Sequence, residues 1–182
     1  MTRSILDGTL AAAIKDQQTV TAEGKPLAQL TEGVKIRELM THVDERGSLV
    51  ELFDPRWQWH DAPLVFAYSF TIRPGYVKGW NLHKLHEDRY CVLQGEMELV
   101  FFDPRPESKT FGQICKLSLN AYHRRIVNVP RNVWHADHNI GTTDVLVVNF
   151  PTMPYDHASP DKYRLPIDTD LIPYKFAGAR GY

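Results

Sequence analysis

From Val34 onward, apolar and polar residues follow one another in short alternating runs broken by Gly, Pro, Asn and Asp. That texture predicts strands at Val34–Met40, Ser48–Phe53, Leu64–Arg73, Tyr76–His83, Tyr90–Leu93, Glu96–Asp103, Ile114–Leu119, Arg125–Val129, Val133–Asn139 and Thr143–Phe150. Turn signals fall at Arg46-Gly47, Pro74-Gly75, Gln94-Gly95, Asp103-Pro104 and Asn139-Ile140-Gly141. Before Val34 the pattern changes. Ile5–Gln18 carries Leu6, Leu10, Ala13 and Ile14 at helical spacing, and residues 21–33 read as a polar linker. The chain therefore divides into an N-terminal extension, 1–33, and a β-rich domain, 34–182. Many short strands with frequent turns suggest an antiparallel sandwich or barrel rather than βαβ units. The proline-rich tail after Pro151 keeps Met, Tyr, Leu and Ile, and is expected to wrap over the domain as ordered coil with a short helix.

Composition narrows the partners. Lys+Arg number 21 against 22 Asp+Glu, a formal charge of −1 that supplies no global field for nucleic acid or an anionic membrane. It leaves room for a local basic pocket. The strongest apolar runs, Pro63–Phe70 and Val145–Phe150, are strand-length and far short of the roughly 18–20 residues of a membrane span. The N-terminus has charges within its apolar stretch and makes a poor signal peptide. Cys91 and Cys115 lie in predicted strands without metal spacing, so inert burial is expected. These features point to a cytoplasmic protein. Histidine stands out: there are 8, and four of them fall in two short segments.

The first segment runs Gly75-Tyr-Val-Lys-Gly-Trp-Asn81-Leu-His83-Lys-Leu-His86-Glu-Asp88-Arg89. On a strand, Asn81 and His83 share a face. The second is Pro130-Arg-Asn132-Val-Trp134-His135-Ala-Asp137-His138-Asn139, where His135 and Asp137 alternate with Trp134 and Ala136. Two histidines on separate strands, each followed by polar residues, suit either an acid–base site or a metal site. His86 and His138 fall off the inward face and are expected at the surface or rim. His42, His60, His123 and His157 have no evident partner.

The spacing Gly75-x5-Asn81-x-His83-x4-Asp88-x6-Gly95 resembles the first cupin motif, and Pro130-x-Asn132-x2-His135-x3-Asn139 the second. Asn81 stands where that motif has a histidine, Asp88 where it has a glutamate and Asn132 where a glycine is usual. A broader likeness covers residues 34–175. Asp44-Glu-Arg46-Gly47 through Glu51 and Phe53, Val77-Lys78-Gly79 with Leu82-His83, Ser108 to Gly112, Val129 to His135, and Pro160-Asp161 to Tyr174 resemble dTDP-4-dehydrorhamnose 3,5-epimerases.

The resemblance implies a cupin-type double-stranded β-helix, a jelly-roll barrel, carrying a short N-terminal helical extension. It implies a homodimer acting on a nucleotide-linked 4-keto-6-deoxy sugar in polysaccharide biosynthesis, with no cofactor required. His83 falls on the base that removes a proton α to the ketone, and His135 on the second pocket histidine. Arg46 and Glu51 fall on the segment that holds the nucleotide diphosphate, while Lys78 replaces an arginine. Asn81 and Arg89 join them as substrate contacts. The family's tyrosine acid falls on Val147, which has no proton to donate, so full double epimerisation gives way to a one-base ketoisomerase-like reaction as an alternative. Tyr155 and Tyr163 are candidates for a displaced acid. Two further alternatives are a metal-dependent cupin enzyme, with His83, Asp88 and His135 holding a divalent ion, and a non-catalytic nucleotide-sugar-binding module.

Overall fold

A computed structural model describes residues 4–181; the first three residues of the extension and Tyr182 lie outside the described residues. The chain begins with a single-turn-capped helix, α1 (Ile5–Ala12), whose Ser4 side chain accepts the Asp7 N–H. The predicted helix ran to Gln18, but Ala13 is already extended. Leu6, Leu10 and Ile14 stay exposed, so no packing partner rewards further turns.

Thirteen strands follow among the described residues: β1 (Ile36–Glu38), β2 (Thr41–Asp44), β3 (Gly47–Val50), β4 (Tyr68–Ile72), β5 (Tyr76–Leu82), β6 (Asp88–Gln94) and β7 (Glu96–Phe102). Then come β8 (Ile114–Asn120), β9 (Arg125–Val129), β10 (Trp134–Asn139), β11 (Val145–Asn149), β12 (Tyr163–Arg164) and β13 (Arg180–Gly181). Every predicted strand has an observed counterpart. The Thr41–Asp44 strand and the two tail strands were not foreseen.

The jelly-roll barrel is not what these strands build. One sheet has the order β1-β9-β6-β11-β4, the other β12-β5-β10-β7-β8 with β13 also on β5, and β2-β3 form a separate hairpin. The sheets remain open. The turn through Arg73-Pro74-Gly75 carries the chain from β4 in one sheet to β5 in the other. The outer edge of β5 is then taken by the tail: β12 pairs Tyr163 with Leu82, and β13 pairs Arg180 with Tyr76. With its hydrogen-bonding groups satisfied there, β5 has none left to ladder with β4, and the sheets do not close.

The sheets face one another across a core drawn from both, including Ile72, Tyr90, Val92, Leu99, Phe101, Val127, Val145 and Val147. Each outer face is also covered. The tail lays Ile172 and Phe176 over Trp80, Val100 and Ala136. Leu52, Phe53, Trp57 and Trp59 cover Cys91, Ile126 and Phe150. The tail is thus ordered coil with two short strands, and its expected helix is absent. Both cysteines are buried and free, and burial pushes the Cys91 thiol up to about 11.

Where β5 meets β10 the ladder slips by one residue: His135 pairs with Asn81, but Asp137 pairs with Lys78. The extra residue lies at Gly79-Trp80, and a side chain at Gly79 would stand 2.6 Å from Ala136 Cα. This bulge resets the alternation, so Lys78 before it and Asn81 after it border the same groove.

Asp103, fully buried at the end of β7, anchors the loop that follows. It accepts two guanidinium bonds from Arg105 at 2.8 Å and hydroxyl bonds from Ser108 (2.5 Å) and Thr110 (2.6 Å). Burial works against its charge, yet these donors hold its carboxyl far below the usual carboxylate range. Its contribution is therefore complete above about pH 4 and is lost as the pH falls toward the folded value. Asp103→Asn is expected to lower stability by about 2–4 kcal/mol at neutral pH in urea denaturation, with the gap to the parent closing in acid. An unchanged midpoint at pH 7 would contradict this.

Candidate active site

The two predicted histidines converge. His83 follows β5, His135 opens the inward face of β10, and Asp88 starts β6 in the opposite sheet. All three are buried, and Asp88 is 1% exposed. His83 Nε2 lies 3.1 Å from Asp88 Oδ2, and His135 Nε2 lies 3.7 Å from the same oxygen. The Tyr90 hydroxyl donates to that oxygen at 2.9 Å, and Asn149 Nδ2 donates to Oδ1 at 2.7 Å. Burial opposes ionisation of Asp88, but the imidazoles of His83 and His86 hold it well below the usual carboxylate range.

The tail orients His83. The Nδ1–H of His83 donates to the Asp161 carbonyl at 2.5 Å, which turns Nε2 toward Asp88. The Asp161 carboxylate accepts the main-chain N–H groups of Lys84, Leu85 and His86, at 3.0, 2.8 and 3.2 Å, fixing the loop after β5. His86, expected at the rim, is part of the cluster. Its ring centroid is 4.1 Å from that of His83, its Nδ1 is 2.9 Å from Asp161 Oδ2, and its Nε2 is 3.7 Å from Asp88 Oδ1. Burial disfavours its charge, but the two carboxylates outweigh this and raise its pKa. His135 behaves oppositely: burial, reinforced by the His83 ring beside it, pushes it down to about 3, so it is a neutral imidazole.

The cluster forms one wall of a cleft of about 630 Å³, measured with its open mouth, bordered by Phe66, Tyr68, Tyr155 and Lys162. Lys162 also borders an adjoining groove with Lys78, Asn81 and Arg164. Among the described residues these three cations have no carboxylate within salt-bridge distance. Partial burial and the adjacent Arg164 charge lower the Lys162 ammonium, with Lys78 adding to the effect. Three crowded cations facing one groove favour an anion.

Other predicted contacts lie elsewhere. Arg46 sits on the exposed β2–β3 hairpin and is paired with Asp44 at 2.6 Å, and Glu51 is exposed just beyond it. Neither borders the histidine cleft. Arg89 is fully buried, but it alternates with Asp88 and so points to the opposite face of β6. Its guanidinium donates to the carbonyls of Phe150, Ala62 and Pro63, which pins the Ala62-Pro63 segment against the start of the tail. Asp88 accordingly bonds to imidazoles rather than to Arg89. His138 packs against Phe176 under the tail, and His60, expected to have no partner, meets Glu87 at 3.0 Å. Val147 is a fully buried core residue.

Asp161, Lys162, Arg164, Tyr68 and His86 were missed as site residues. Asp161, Lys162 and Arg164 did fall within a resembling segment. Tyr68 lay in a predicted strand and His86 in the first cupin-like segment, but alternation marks a strand face and not the partner a side chain meets.

The fold has counterparts in solved structures. A dTDP sugar isomerase from Desulfovibrio desulfuricans is 27% identical and superposes with a TM-score of 0.75, covering 84% of this chain and 98% of that one. The class is that of the epimerase-like cupins, which are enzymes, here with sheets that stay open. Residues 42–163 match the family model described as the polysaccharide biosynthesis C-terminal domain, and the chain belongs to that family. Two curated relatives agree with this placement. A probable low-salt glycan biosynthesis epimerase of Haloferax volcanii is 31% identical over 136 residues, 74% of this chain and 87% of its own. A spore coat polysaccharide biosynthesis protein of Bacillus subtilis is 28% identical over 149 residues, 81% of this chain and 97% of its own. No described helix is long and apolar enough to cross a membrane.

One further acid lies inside the cluster. Asp137 is 2% exposed, its Oδ1 has no partner, and burial together with the Asp88 charge raises its pKa to about 8. The folded state then keeps a proton that the unfolded chain has released above about pH 4. Stability from this group is complete below that pH and is lost as the pH rises toward 8, at up to about 1.4 kcal/mol per pH unit. Asp137→Asn should flatten the decline in thermal midpoint between pH 5 and 8, and a variant declining as steeply as the parent would refute the assignment.

Proposed function

We propose that this chain is a sugar-nucleotide epimerase or isomerase of polysaccharide biosynthesis, acting on a nucleotide-linked 4-keto-6-deoxy sugar. The observation that carries the proposal is the buried His83–Asp88 contact behind the cleft that His83 borders. A proton α to a ketone is acidified by the carbonyl, and its removal needs a base held within reach in a dry site. His83 has its tautomer set by Asp161 and its second nitrogen against a carboxylate, so the pair can take up one proton and return it. Neutral His135, beside Asp88, keeps a second charge out of the site. The names of the relatives point the same way: one is a dTDP sugar isomerase and another a probable glycan biosynthesis epimerase.

In this proposal the sugar occupies the cleft and the diphosphate lies in the adjoining groove, against Lys78, Lys162 and Arg164, with Asn81 beside them. Arg46 and Glu51 are not assigned to substrate within the same chain. The protein acts as a homodimer, for which exposed Met40, Val43 and Leu49 around the β2–β3 hairpin offer apolar surface. In deuterated water the enzyme should exchange a proton α to the ketone of dTDP- or UDP-linked 4-keto-6-deoxy sugars. His83→Gln should reduce that exchange at least about 100-fold. Absence of exchange across such a panel by the parent protein would refute the proposal.

A metal-dependent reaction is the second reading, and one observation favours it. Donor atoms of His83, Asp88 and His135 all lie within 4.8 Å of one another. Both rings turn Nδ1 to a main-chain carbonyl, Asp161 for His83 and Val133 (3.4 Å) for His135, leaving Nε2 inward. Two imidazoles and a carboxylate braced in this way fit a divalent ion. Such an ion would polarise the substrate carbonyl. Elemental analysis of untagged protein decides the matter. About one ion per chain, with a lower thermal midpoint after chelation, is expected for a metal enzyme, and less than about one ion per ten chains removes this reading.

A further inference from the structure

A base on one face of a sugar carbon inverts that carbon only if a proton arrives on the other face. Val147 cannot supply one, and the side chains around the cleft narrow the choice. Tyr90 is buried, and its hydroxyl is already spent on Asp88. Tyr163 lies under the Lys84 ammonium, outside the residues that border the cleft. Tyr155 borders the cleft, but its ring stands edge-on to His157 and no hydrogen bond ties its hydroxyl to the cluster. Tyr68 remains.

Tyr68 is on β4, directly opposite Asn149 of β11 and two positions from Phe70, which pairs with Val147. Its phenol oxygen accepts a hydrogen bond from Asn149 Nδ2 at 2.9 Å. The direction of that bond is settled by bookkeeping on the amide. Asn149 Oδ1 accepts the Arg89 main-chain N–H at 2.9 Å, so Nδ2 must face the other way, with one hydrogen on Asp88 and one on Tyr68. Tyr68 is therefore an acceptor in this network, and its own hydrogen is left to the cleft. The same amide ties the phenol to the carboxylate that faces His83, so the two ends of the proton path share one scaffold. Burial, and then the Asp88 charge, push the phenol up, which keeps it protonated at neutral pH.

We propose that Tyr68 is the proton donor opposite His83, taking on from a neighbouring strand the task that Val147 cannot perform. The inference rests on the proton-abstraction reading above. The His83–Asp88 pair takes the proton from the carbon α to the ketone, and the C–H electron pair moves into the carbonyl to give an enediolate. The enediolate then collapses, and its carbon takes the Tyr68 hydroxyl proton on the opposite face. This leaves a phenolate, with the abstracted proton on His83. Proton exchange with water resets both groups. Nothing is oxidised or reduced, and the product is the epimer.

Tyr68→Phe separates the two halves of this sequence. With dTDP- and UDP-linked 4-keto-6-deoxy sugars in deuterated water, the variant should wash in deuterium within about threefold of the parent rate. Epimer formation should fall about 100-fold or more. A thermal midpoint lowered by no more than the loss of the one hydrogen bond from Asn149 checks that the fold is kept. A second measurement does not depend on a deletion: fluorotyrosine at position 68, which acidifies the phenol, should move the alkaline limb of epimer formation to lower pH and leave the exchange profile in place. Epimer formation at the parent rate by Tyr68→Phe would overturn the inference while leaving the His83 chemistry intact. So would loss confined to Tyr155→Phe. Absence of both exchange and epimer from the parent protein would instead overturn the underlying reading, and this inference with it.

Discussion

A single buried carboxylate organises this molecule. Asp88 sits between two sheets with no lysine or arginine against it among the described residues, and an unpaired charge there would cost several kcal/mol. Its charge is met by imidazole, amide and phenol groups from other parts of the chain: His83 after β5, Tyr90 on β6, Asn149 on β11 and His135 on β10. Each partner is useful because it is held. Asn149 is locked by the Arg89 main chain and His83 by the Asp161 carbonyl. Satisfying this one group thus fixes the relative placement of both sheets and of the tail.

The open architecture follows a similar logic of satisfied edges. The tail takes up the free edge of β5 and so keeps that strand from laddering with β4. The same tail delivers Asp161, Lys162 and Arg164 to the end of β5, where His83 emerges. One segment therefore prevents closure of the sheets, sets the histidine tautomer and lines the groove. The β5–β10 bulge adds the final adjustment, because without its extra residue Lys78 and Asn81 could not border one groove.

Much of this was legible beforehand. Strands such as Arg125–Val129 and Glu96–Phe102 follow from alternation and turn residues alone, since a pleated strand exposes every second side chain to the same environment. His83 and His135 were legible as a pair because each lies on a separate predicted strand, is followed by polar residues and falls on a position of a cupin-like motif. Arg89 shows the limit of such reading. Beside Asp88 it looked like a substrate contact, but the period of two sends neighbours to opposite faces, and it binds carbonyls instead. His86 and His60 were misjudged for the complementary reason: loops have no period, so the side chain's direction is set by whatever it meets.

By itself, then, the sequence determined the all-β texture, the positions of ten of the strands, the two histidines and the absence of a proton donor at Val147. These are properties of local pattern and residue chemistry. The tertiary structure alone decided whether the sheets would close and which carboxylate would face His83. It also decided whether the Arg46 hairpin would share a cleft with the histidines, and which tyrosine would be tied to Asp88 through Asn149. Those outcomes depend on contacts between segments 60 or more residues apart, such as Arg89 with Asn149 and His83 with Asp161. No local pattern encodes the competition for a strand edge or the satisfaction of one buried charge.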